Sequence, residues 1–240
     1  MSTKPYSLGP SIVSYFDRWL RKVQRSIDEF GFLMTAVRIV YRLTGVQSFI
    51  LCQLDLCDET LGLKDDSEVR RGVLPQDRQH FISLGAPPYG IPTELEKGAL
   101  FFVLEQKGCA IGYMWLQPKS LHISGWWPWL QFRLTQDDIW GQKMWVAPEY
   151  RGQGFGPRVN KHALLQAARA GYTRVISHVV IYNTRSIRAD EKVGYRRLCN
   201  FFALHLGVAL VFYNSSLRLG SWTAGRPLEL EVDSIIREIS

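Results

Sequence analysis

The sequence predicts a mixed α/β domain built on a central sheet, preceded by a helical extension. Three observations support this fold class: an apolar strand-like run at 48–56, a hairpin pattern at 99–117, and strand and helix patterns that alternate between 139 and 193. Helices that alternate with strands connect parallel strands, so the last region predicts a parallel pair within the sheet. With 240 residues and 46% hydrophobic content, the chain is long enough for one large domain with additions.

The N-terminal residues 1–45 carry the pattern of amphipathic helices. Between residues 11 and 30, apolar side chains recur at helical spacing with arginines and lysines between them, and a second helical stretch runs from 33 to 43. We therefore divide the chain into a helical extension at 1–45, a domain at 46–215 and a C-terminal tail at 216–240 that packs on the domain. The helices either pack on the domain or present a basic surface to a partner or a membrane.

Hydrophobic periodicity and turn residues predict the elements of the domain one by one. A strand opens the domain at 48–56, and the polar stretch at 58–92 is irregular apart from a short helix at 76–83. Two strands, at 99–105 and 110–117, form a hairpin. The second half is predicted as a strand at 139–147, a helix at 157–170, a strand at 173–182, a helix at 184–193 and two strands within 195–213.

Charge and cysteine content narrow the classes of partner and compartment. The net charge of +7 favours anionic partners, which include phosphate-bearing ligands, an acidic carrier protein, a membrane surface and nucleic acid. The four cysteines form no CxxC pair and have no histidines at zinc-ligand spacing, so neither a metal site nor a disulfide framework is indicated. The N-terminus also lacks the pattern of a secretory signal, and these features together favour a cytoplasmic protein.

A glycine-rich turn, WVAPEYRGQGFGPR at 145–158, is the strongest chemical signal in the chain. A strand leads into the turn and a helix beginning at Pro157 leaves it, so backbone N–H groups at the positive end of the helix face the turn. Its glycines have no Cβ to hold a ligand away, and the flanking arginines add positive charge. This pattern indicates a diphosphate site. It matches neither the dinucleotide-binding G-x-G-x-x-G spacing nor the P-loop ending G-K-[ST].

The same stretch resembles the acyl-CoA signature of the GNAT superfamily of N-acetyltransferases, [Q/R]-x-x-G-x-[G/A]. A second block, NTRSIRADEKVGY at 183–195, is similar to the family's N-x-x-A-x-x-x-Y-x-K-x-G-F. The first block matches at Arg151, Gly154 and Gly156, and the second matches at Asn183, Lys192 and Gly194, with conservative replacements at Ser186 and Tyr195. The resemblance implies a mixed, mostly antiparallel central sheet with flanking helices, in which one pair of parallel strands splays apart.

The resemblance also implies a donor and an acceptor. Acetyl-CoA or another acyl-CoA supplies the acyl group, and the acceptor is the amine of a small molecule or peptide; neither a metal nor nucleic acid is implied. In such proteins the pantetheine arm hydrogen-bonds to the free edge of the first splayed strand, and the glycine turn holds the pyrophosphate. The implied donor-binding residues are Met144, Trp145, Val146, Arg151, Gly152, Gln153, Gly154, Phe155, Gly156 and Asn183.

Six residues are candidates for the proton transfers of the reaction. Asp138 stands at the entrance of the strand before the glycines, where such proteins often carry the general base. Alternatives for this base are His178 and Glu149. Asp190 replaces the family's tyrosine that protonates the leaving thiolate, and an ionised carboxylate cannot donate a proton unless burial raises its pKa. If Asp190 is ionised, either the CoA thiolate leaves without protonation or Tyr182 or Tyr195 is the proton donor.

Two hypotheses of function from different classes remain at this stage. The first is an acyl-CoA-dependent N-acyltransferase, and the second is a non-catalytic acyl-CoA-binding module whose basic helices dock on a partner or membrane. Asp190 favours the second, because the usual proton donor is missing. An acidic carrier protein in place of CoA is a further alternative. The tryptophans of GWWPW at 125–129 either line an acceptor pocket or cover the sheet.

Overall fold

The structure is a computed structural model that describes residues 46–56, 65–73, 75–86, 99–118, 121–122, 130–205, 209–213, 216–220 and 227–239, together with isolated positions between 17 and 44. The chain forms two compact units, Met1–Val46 and Gln47–Ser240. In the first unit, each described position from Asp17 to Thr44 is helical, although much of the two predicted helices lies outside the described residues. Within the described part of the chain, no helix is long and apolar enough to cross a membrane.

The second unit contains twelve strands in the described ranges. In chain order they are β1 (Gln47–Asp55), β2 (Val69–Arg71), β3 (Leu100–Gln106), β4 (Cys109–Pro118), β5 (Leu121–His122), β6 (Leu130–Arg133), β7 (Asp138–Val146), β8 (Arg174–Val180), β9 (Arg196–His205), β10 (Ala209–Tyr213), β11 (Ser216–Gly220) and β12 (Leu228–Glu231). The helices are α1 (Gln76–Ser83), α2 (Phe155–Arg169), α3 (Thr184–Val193) and α4 (Val232–Ile239), and a 3-10 turn covers Pro148–Tyr150.

Nine of these strands form one sheet in the order β11-β10-β9-β1-β8-β7-β4-β3-β2, and β12, β6 and β5 form a small second sheet. Every neighbouring pair in the large sheet is antiparallel except β7 with β8. The chain crosses from β7 to β8 through α2, which is the connection that a parallel pair requires. The predicted mixed, mostly antiparallel sheet with one parallel pair is confirmed.

The parallel pair separates along its length. Only four residue pairs join β7 to β8, the last of them Gly141 with Ser177, yet β7 continues to Val146 and β8 to Val180. Over this remaining length each strand stays paired with its outer neighbour, β4 or β1. The inner edges therefore diverge, and we call the gap between residues 142–146 of β7 and 178–180 of β8 the wedge. This confirms the splayed pair that the family resemblance implied.

An irregularity in β7 accounts for the point at which the strands diverge. Opposite β4, Leu116 pairs with Gly141 and Trp115 pairs with Lys143, so β7 carries one extra residue, Gln142. A bulge of this kind bends its strand and increases the local twist. The extra residue follows directly after Gly141, the last residue of β7 that pairs with β8. The bulge therefore turns the rest of β7 away from β8 and opens the wedge.

A buried ion pair holds the two strands together at the closed end of the wedge. Arg174 donates from Nε and Nη2 to the two carboxylate oxygens of Asp138, at 2.6 and 2.8 Å, and from Nη2 to Asp233 of α4 at 2.5 Å. The Asp138 side chain is only 1% exposed. Burial alone would raise the pKa of Asp138, but hydrogen bonds from Arg174 and Thr135 outweigh it and hold the pKa below its ordinary value. Asp138 therefore remains ionised and paired.

The sheet is covered on both faces. On one face α2 and α3 pack over a core that includes Ile139 of β7 and Val175 of β8. On the other face, Phe81 of α1 packs near Tyr113 and Trp145, while β6, β12 and α4 cover the half that contains Trp140. Alternate residues of β7 thus point into different cores, as expected for a strand buried on both faces.

The predicted boundaries of the hairpin, α1 and α3 agree closely with the structure. Lys107 and Gly108 both have positive φ, 51° and 78°, which is the backbone that a tight two-residue hairpin turn needs. The Asn183 side chain accepts a hydrogen bond from the backbone N–H of Ser186 at 3.2 Å and caps α3, and Gly194 ends that helix at φ 109°. These boundaries depend on local turn and cap residues, which the sequence displays directly.

We predict that Arg174→Met destabilises the protein by about 3 kcal/mol or more, because it leaves the Asp138 carboxylate buried without its cation. The measurement is urea unfolding at neutral pH. Arg169→Met is the matched control, since Arg169 forms an exposed ion pair with Asp65 at 2.8 Å, and loss of such a pair costs less than about 1 kcal/mol. Equal effects of the two substitutions would contradict the role assigned to the closed end.

Candidate functional site

The predicted donor-binding residues of β7 lie on an open strand edge. Met144, Trp145 and Val146 pair with β4 on one side, and on the wedge side no described strand pairs with β7 beyond Gly141. The side chains of Trp145 and Val146 are buried in cores on opposite faces of the sheet, so the backbone is what these residues present to the wedge. An extended ligand with amide groups can add to such an edge as a further strand.

The glycine turn follows at the open end of the wedge. Within the described part of the chain, the backbone N–H groups of residues 152–156 donate to no other group. Gly152 and Gly154 have φ of 80° and 85°, and a Cβ at either position would meet no atom within 4 Å. A run of unpaired N–H groups beside open space, at the positive end of α2, is a site for a phosphate-type anion. Gln153 Nε2 donates to the carbonyl of Glu149 at 3.0 Å and steadies the turn.

Helix α2 begins at Phe155, two residues before the predicted start at Pro157. Gly154 is the N-cap, and Pro157 lies in the first turn, where its missing N–H costs no helical hydrogen bond. Phe155 is buried, so it contributes its backbone N–H to the turn rather than its side chain. A Cβ on Gly156 would lie 3.2 Å from Cε of Met144. Gly156 therefore lets α2 pack against β7, which differs from the ligand-facing role expected for all three glycines.

The two arginines that flank the turn have different surroundings. Arg151 is exposed, and its Nε donates to the carbonyl oxygen of Val146 at 2.9 Å. Arg158 instead contacts both carboxylate oxygens of Asp66, at 2.8 Å each, and Glu68 at 2.7 Å. The expectation that Arg158 adds charge to the anion site is therefore not met. Its hydrogen bonds, with a smaller opposing effect of burial, hold the pKa of Asp66 below its usual value.

Arg158 reveals a contact that the sequence did not predict. Asp66 is 92 residues away in the chain and lies in the polar stretch that was expected to be irregular. The Asp66 backbone N–H also donates to Nδ1 of His162 on α2 at 3.3 Å. Two groups of one aspartate thus tie the segment before β2 to the first turns of α2. No local pattern marks such a pair, because charged residues in polar stretches are common.

Two predicted residues lie at the open end on the β8 side. Parallel strands end at the same edge of a sheet, so Tyr182 and Asn183, which follow β8, lie at the edge where the glycine turn follows β7. Asn183 uses its side-chain oxygen to cap α3, and its Nδ2 group has no hydrogen-bond partner among the described residues. Tyr182 is partly exposed. The structure therefore brings the residues of both sequence blocks to one end of the wedge.

Asp190 lies on α3 near two buried groups, Cys52 of β1 and Tyr195. Burial, with a smaller contribution from Glu191, raises the pKa of Asp190 to about 7. No hydrogen bond or ion pair compensates for the burial of this carboxyl group among the described residues. Asp190 is thus partly protonated at neutral pH, which satisfies the condition under which a carboxyl group at this position can donate a proton.

Asp138 is separated from the other predicted residues. It begins β7 at the closed end, eight residue steps of extended chain, or about 26 Å, from Val146. Its carboxylate is committed to two hydrogen bonds from Arg174. The geometry gives Asp138 a structural role and does not support it as the general base. His178, the alternative base, is the first residue of β8 beyond the last pairing with β7.

The tryptophans at 126, 127 and 129 fall outside the described residues. Among the residues that are described, no group of three or more histidine, cysteine, aspartate or glutamate side chains is arranged to hold a metal ion. Cys52 and Cys199 are buried and Cys109 is exposed, and all three are free thiols.

Comparison with known proteins identifies a family whose model matches this part of the chain. The model of the acetyltransferase (GNAT) family matches residues 72–195, slightly more than half of the 240-residue chain. The matched range contains α1, the hairpin, the wedge, the glycine turn and α3. A search of curated proteins found no match.

Solved structures similar to this chain include three acetyltransferases. An acetyltransferase from the GNAT family of Novosphingobium aromaticivorans is 18% identical over 65% of this chain and 62% of its own, with a TM-score of 0.47. The ribosomal-protein-S18-alanine N-acetyltransferase from Escherichia coli is 16% identical over 52% of this chain and 75% of its own, with a TM-score of 0.40. A GCN5-related N-acetyltransferase from Sphaerobacter thermophilus is 14% identical over 82% and 58%, with a TM-score of 0.45. The chain thus spans less than two thirds of the first and third of these proteins.

The raised pKa of Asp190 predicts a pH-dependent gain of stability in Asp190→Asn. The folded protein holds a proton at Asp190 up to about pH 7, whereas the unfolded chain releases it near pH 4, so wild-type stability falls as pH rises through this window. Asparagine does not titrate, so the variant does not lose stability as the pH rises through this window. Urea unfolding at about pH 8 and about pH 5 should show a larger gain over wild type at the higher pH.

The control for this measurement is Asp55→Asn, which changes an exposed carboxylate on the neighbouring strand β1. Its effect on stability should stay below about 1 kcal/mol at both pH values. A difference between Asp190→Asn and wild type that does not change with pH would show that Asp190 is ionised in the folded protein throughout this range.

Proposed function

The chain belongs to the acetyltransferase (GNAT) family, and on that basis we propose that it transfers an acyl group from acyl-CoA, most simply acetyl-CoA, to a primary amine. The observation that carries this proposal is the open edge of β7 leading directly into a turn of unpaired N–H groups. One part fits an amide-containing arm and the other fits a diphosphate. CoA contains both in that order.

Residues of the glycine turn are the proposed site for the pyrophosphate. The N–H groups of Gly152, Gln153, Gly154, Phe155 and Gly156 are unpaired within the described structure, and they lie at the positive end of α2. The open space beside Gly152 and Gly154 provides the room for close approach of phosphate oxygens. Arg151, exposed at the start of the turn, is the proposed source of positive charge.

The open edge of β7 is the proposed site for the pantetheine arm and the thioester. Backbone groups of Met144, Trp145 and Val146 would hold the arm as an added strand, and Nδ2 of Asn183 would donate to it from the β8 side. An N–H group on this edge, held in place by the pairing of β7 with β4, is preorganised to stabilise negative charge that develops on the thioester carbonyl oxygen. CoA supplies the activated acyl group, and the protein supplies its position.

The proposed reaction is direct attack of a neutral amine on the thioester carbon in a ternary complex. The C–N bond forms, the C–S bond breaks, and one proton must pass from the amine nitrogen while the thiolate sulfur gains one. Asp190, with its pKa near 7, and Tyr182, in the turn at the open end, are the proposed donors to sulfur. The acceptor is proposed to be a small-molecule or peptide amine.

The alternative of a non-catalytic binding module loses its main support. That hypothesis rested on Asp190 as an ionised carboxylate that would repel a thiolate. Because burial raises the pKa of Asp190 to about 7, part of the population carries a proton at neutral pH and can donate it. The predicted basic extension at 1–45 either packs on the domain or docks on a partner or membrane, and both alternatives are compatible with either function.

We predict that Gly154→Ala weakens acetyl-CoA binding at least tenfold, since its Cβ would enter the open space proposed for the diphosphate. The matched control is Gly171→Ala. Gly171 has a similar φ of 92° and similarly open surroundings, but it lies at the other end of α2. Both variants carry the same backbone strain, of order 1 kcal/mol, so only a difference in binding reports on the anion site. Isothermal titration calorimetry measures the affinities.

The same proteins test the transfer reaction. Wild type and Gly171→Ala should release free CoA thiol from acetyl-CoA when a suitable member of an amine panel is present, and Gly154→Ala should do so much more slowly at low acetyl-CoA. Equal affinity of Gly154→Ala and Gly171→Ala for acetyl-CoA would refute the assignment of the turn. Binding without amine-dependent thiol release from any amine would instead favour the non-catalytic module.

A further inference from the structure

Two buried polar atoms beside the wedge have no partner. Nδ1 of His178 and Nε1 of Trp140 are both inaccessible to solvent, and neither forms a hydrogen bond within the described structure. Trp140 is completely buried, and its ring centroid lies 5.7 Å from that of His178. Buried polar groups in proteins almost always have partners, and the exceptions tend to mark ligand, water or catalytic sites. The position of this pair therefore requires an explanation.

His178 lies where the wedge begins. It is the first residue of β8 after Ser177, the last residue paired with β7. Its ring contacts the rings of Phe49 and Trp140, so it is on the face of the sheet opposite α2. Although its Nδ1 is buried, the residue as a whole retains some solvent exposure. The imidazole ring itself lies among aromatic rings at the apex of the wedge.

The opposite approach to this apex is closed. On the α2 side, Ile139, Val175 and Val179 are buried beneath the helices in one continuous core. The proposed donor occupies the length of the wedge from the glycine turn inward, so its reactive carbon lies toward the apex. The face that carries His178 is covered as well, by β6, β12 and α4. The amine must therefore reach this carbon along the wedge, where His178 is the first residue of β8 that no longer pairs with β7.

We propose that His178 carries the proton of the transfer reaction from the attacking amine to the departing thiolate. This inference rests on the proposed acyl transfer. In the first step the amine nitrogen bonds to the thioester carbon and its proton passes to a ring nitrogen of His178. In the second step the C–S bond breaks, and the imidazolium returns the same proton to the sulfur. One residue can serve both atoms because nitrogen and sulfur are bonded to the same carbon at that moment.

The surroundings of His178 favour the second step most, because the low pKa that makes the ring a good acid also weakens it as the base of the first step. Burial among apolar rings lowers the pKa of His178 to about 4, and no charged neighbour contributes to this shift. The ring is therefore neutral at pH 7 and has a lone pair for the amine proton. Once protonated, it is a much stronger acid than a thiol, whose pKa is about 8.5, so the return of the proton to sulfur is downhill. Asp190 is then not required as the proton donor.

The test compares His178→Gln and His178→Ala with wild type and with His80→Gln. His80 is an exposed histidine on α1 and serves as the control. Thiol release gives kcat, and calorimetry gives the dissociation constant for acetyl-CoA. Both His178 variants should lose about a hundredfold or more in kcat, with acetyl-CoA affinity within about twofold of wild type, and added imidazole should partly restore His178→Ala. His80→Gln should match wild type.

A second measurement uses the wild-type protein and does not depend on how the variants fold. Nitrogen-15 NMR of the histidine rings should show His178 neutral at pH 7, with a titration midpoint of about 4. A cationic ring at pH 7, or unchanged kcat in His178→Gln, would overturn the proton-transfer role while leaving acyl transfer intact. Equal losses of kcat and acetyl-CoA affinity would also overturn it, by showing that His178 only packs. A wild-type protein that binds acetyl-CoA but acylates no amine would overturn both proposals.

Discussion

Only four residue pairs join β7 to β8, and the function proposed for the protein depends on this early separation. If the two strands paired along their full length, the backbone N–H and C=O groups of 142–146 would form hydrogen bonds to β8. No open strand edge would then remain for a ligand. The bulge at Gln142 turns β7 away from β8 and ends their pairing. On its other side β7 stays paired with β4 before and after the bulge, so it remains a strand. The wedge is therefore a local departure from regular pairing inside an otherwise continuous sheet.

Ion pairs at both ends of the wedge hold the surrounding elements in place. At the closed end, Asp138, Arg174 and Asp233 link β7, β8 and α4 through charged hydrogen bonds. At the open end, Arg158 and Asp66 tie the first turns of α2 to the segment before β2. The wedge lies between these two supports, and the glycine turn adjoins the second. A rigid frame on both sides preorganises the N–H groups that the proposed donor needs, so little reorganisation accompanies binding.

Much of this arrangement could be predicted from the sequence, because its determinants are local. Alternating apolar residues, the turn at Gly108, the cap at Asn183 and the glycine at 194 each act within a few residues of themselves. The strands β2, β5, β6, β11 and β12 were not predicted. They are two to five residues long and depend on a partner strand that lies beside them.

The side-chain roles were harder to predict than the fold, for the same reason. Arg158 was expected at the anion site, but its guanidinium forms an ion pair with Asp66, which is distant in sequence. Asp138 was predicted as the general base from its position in the sequence, but in the fold its carboxylate is buried in an ion pair with Arg174. The raised pKa of Asp190 depends on its burial and, to a smaller extent, on Glu191, and the burial of the His178 ring depends on rings from two other strands. Each of these environments is created by tertiary contacts that no sequence motif records.

Amide hydrogen exchange in the presence and absence of CoA measures directly whether the open edge of β7 holds the ligand. Peptides covering 142–146 and 152–156 should exchange more slowly when CoA is bound, because their N–H groups gain acceptors, while β3 at 100–106 should be unchanged. Protection of 152–156 without any change in 142–146 would show that only the diphosphate is held as proposed. Unchanged exchange in both segments at saturating CoA would contradict the wedge as the binding site.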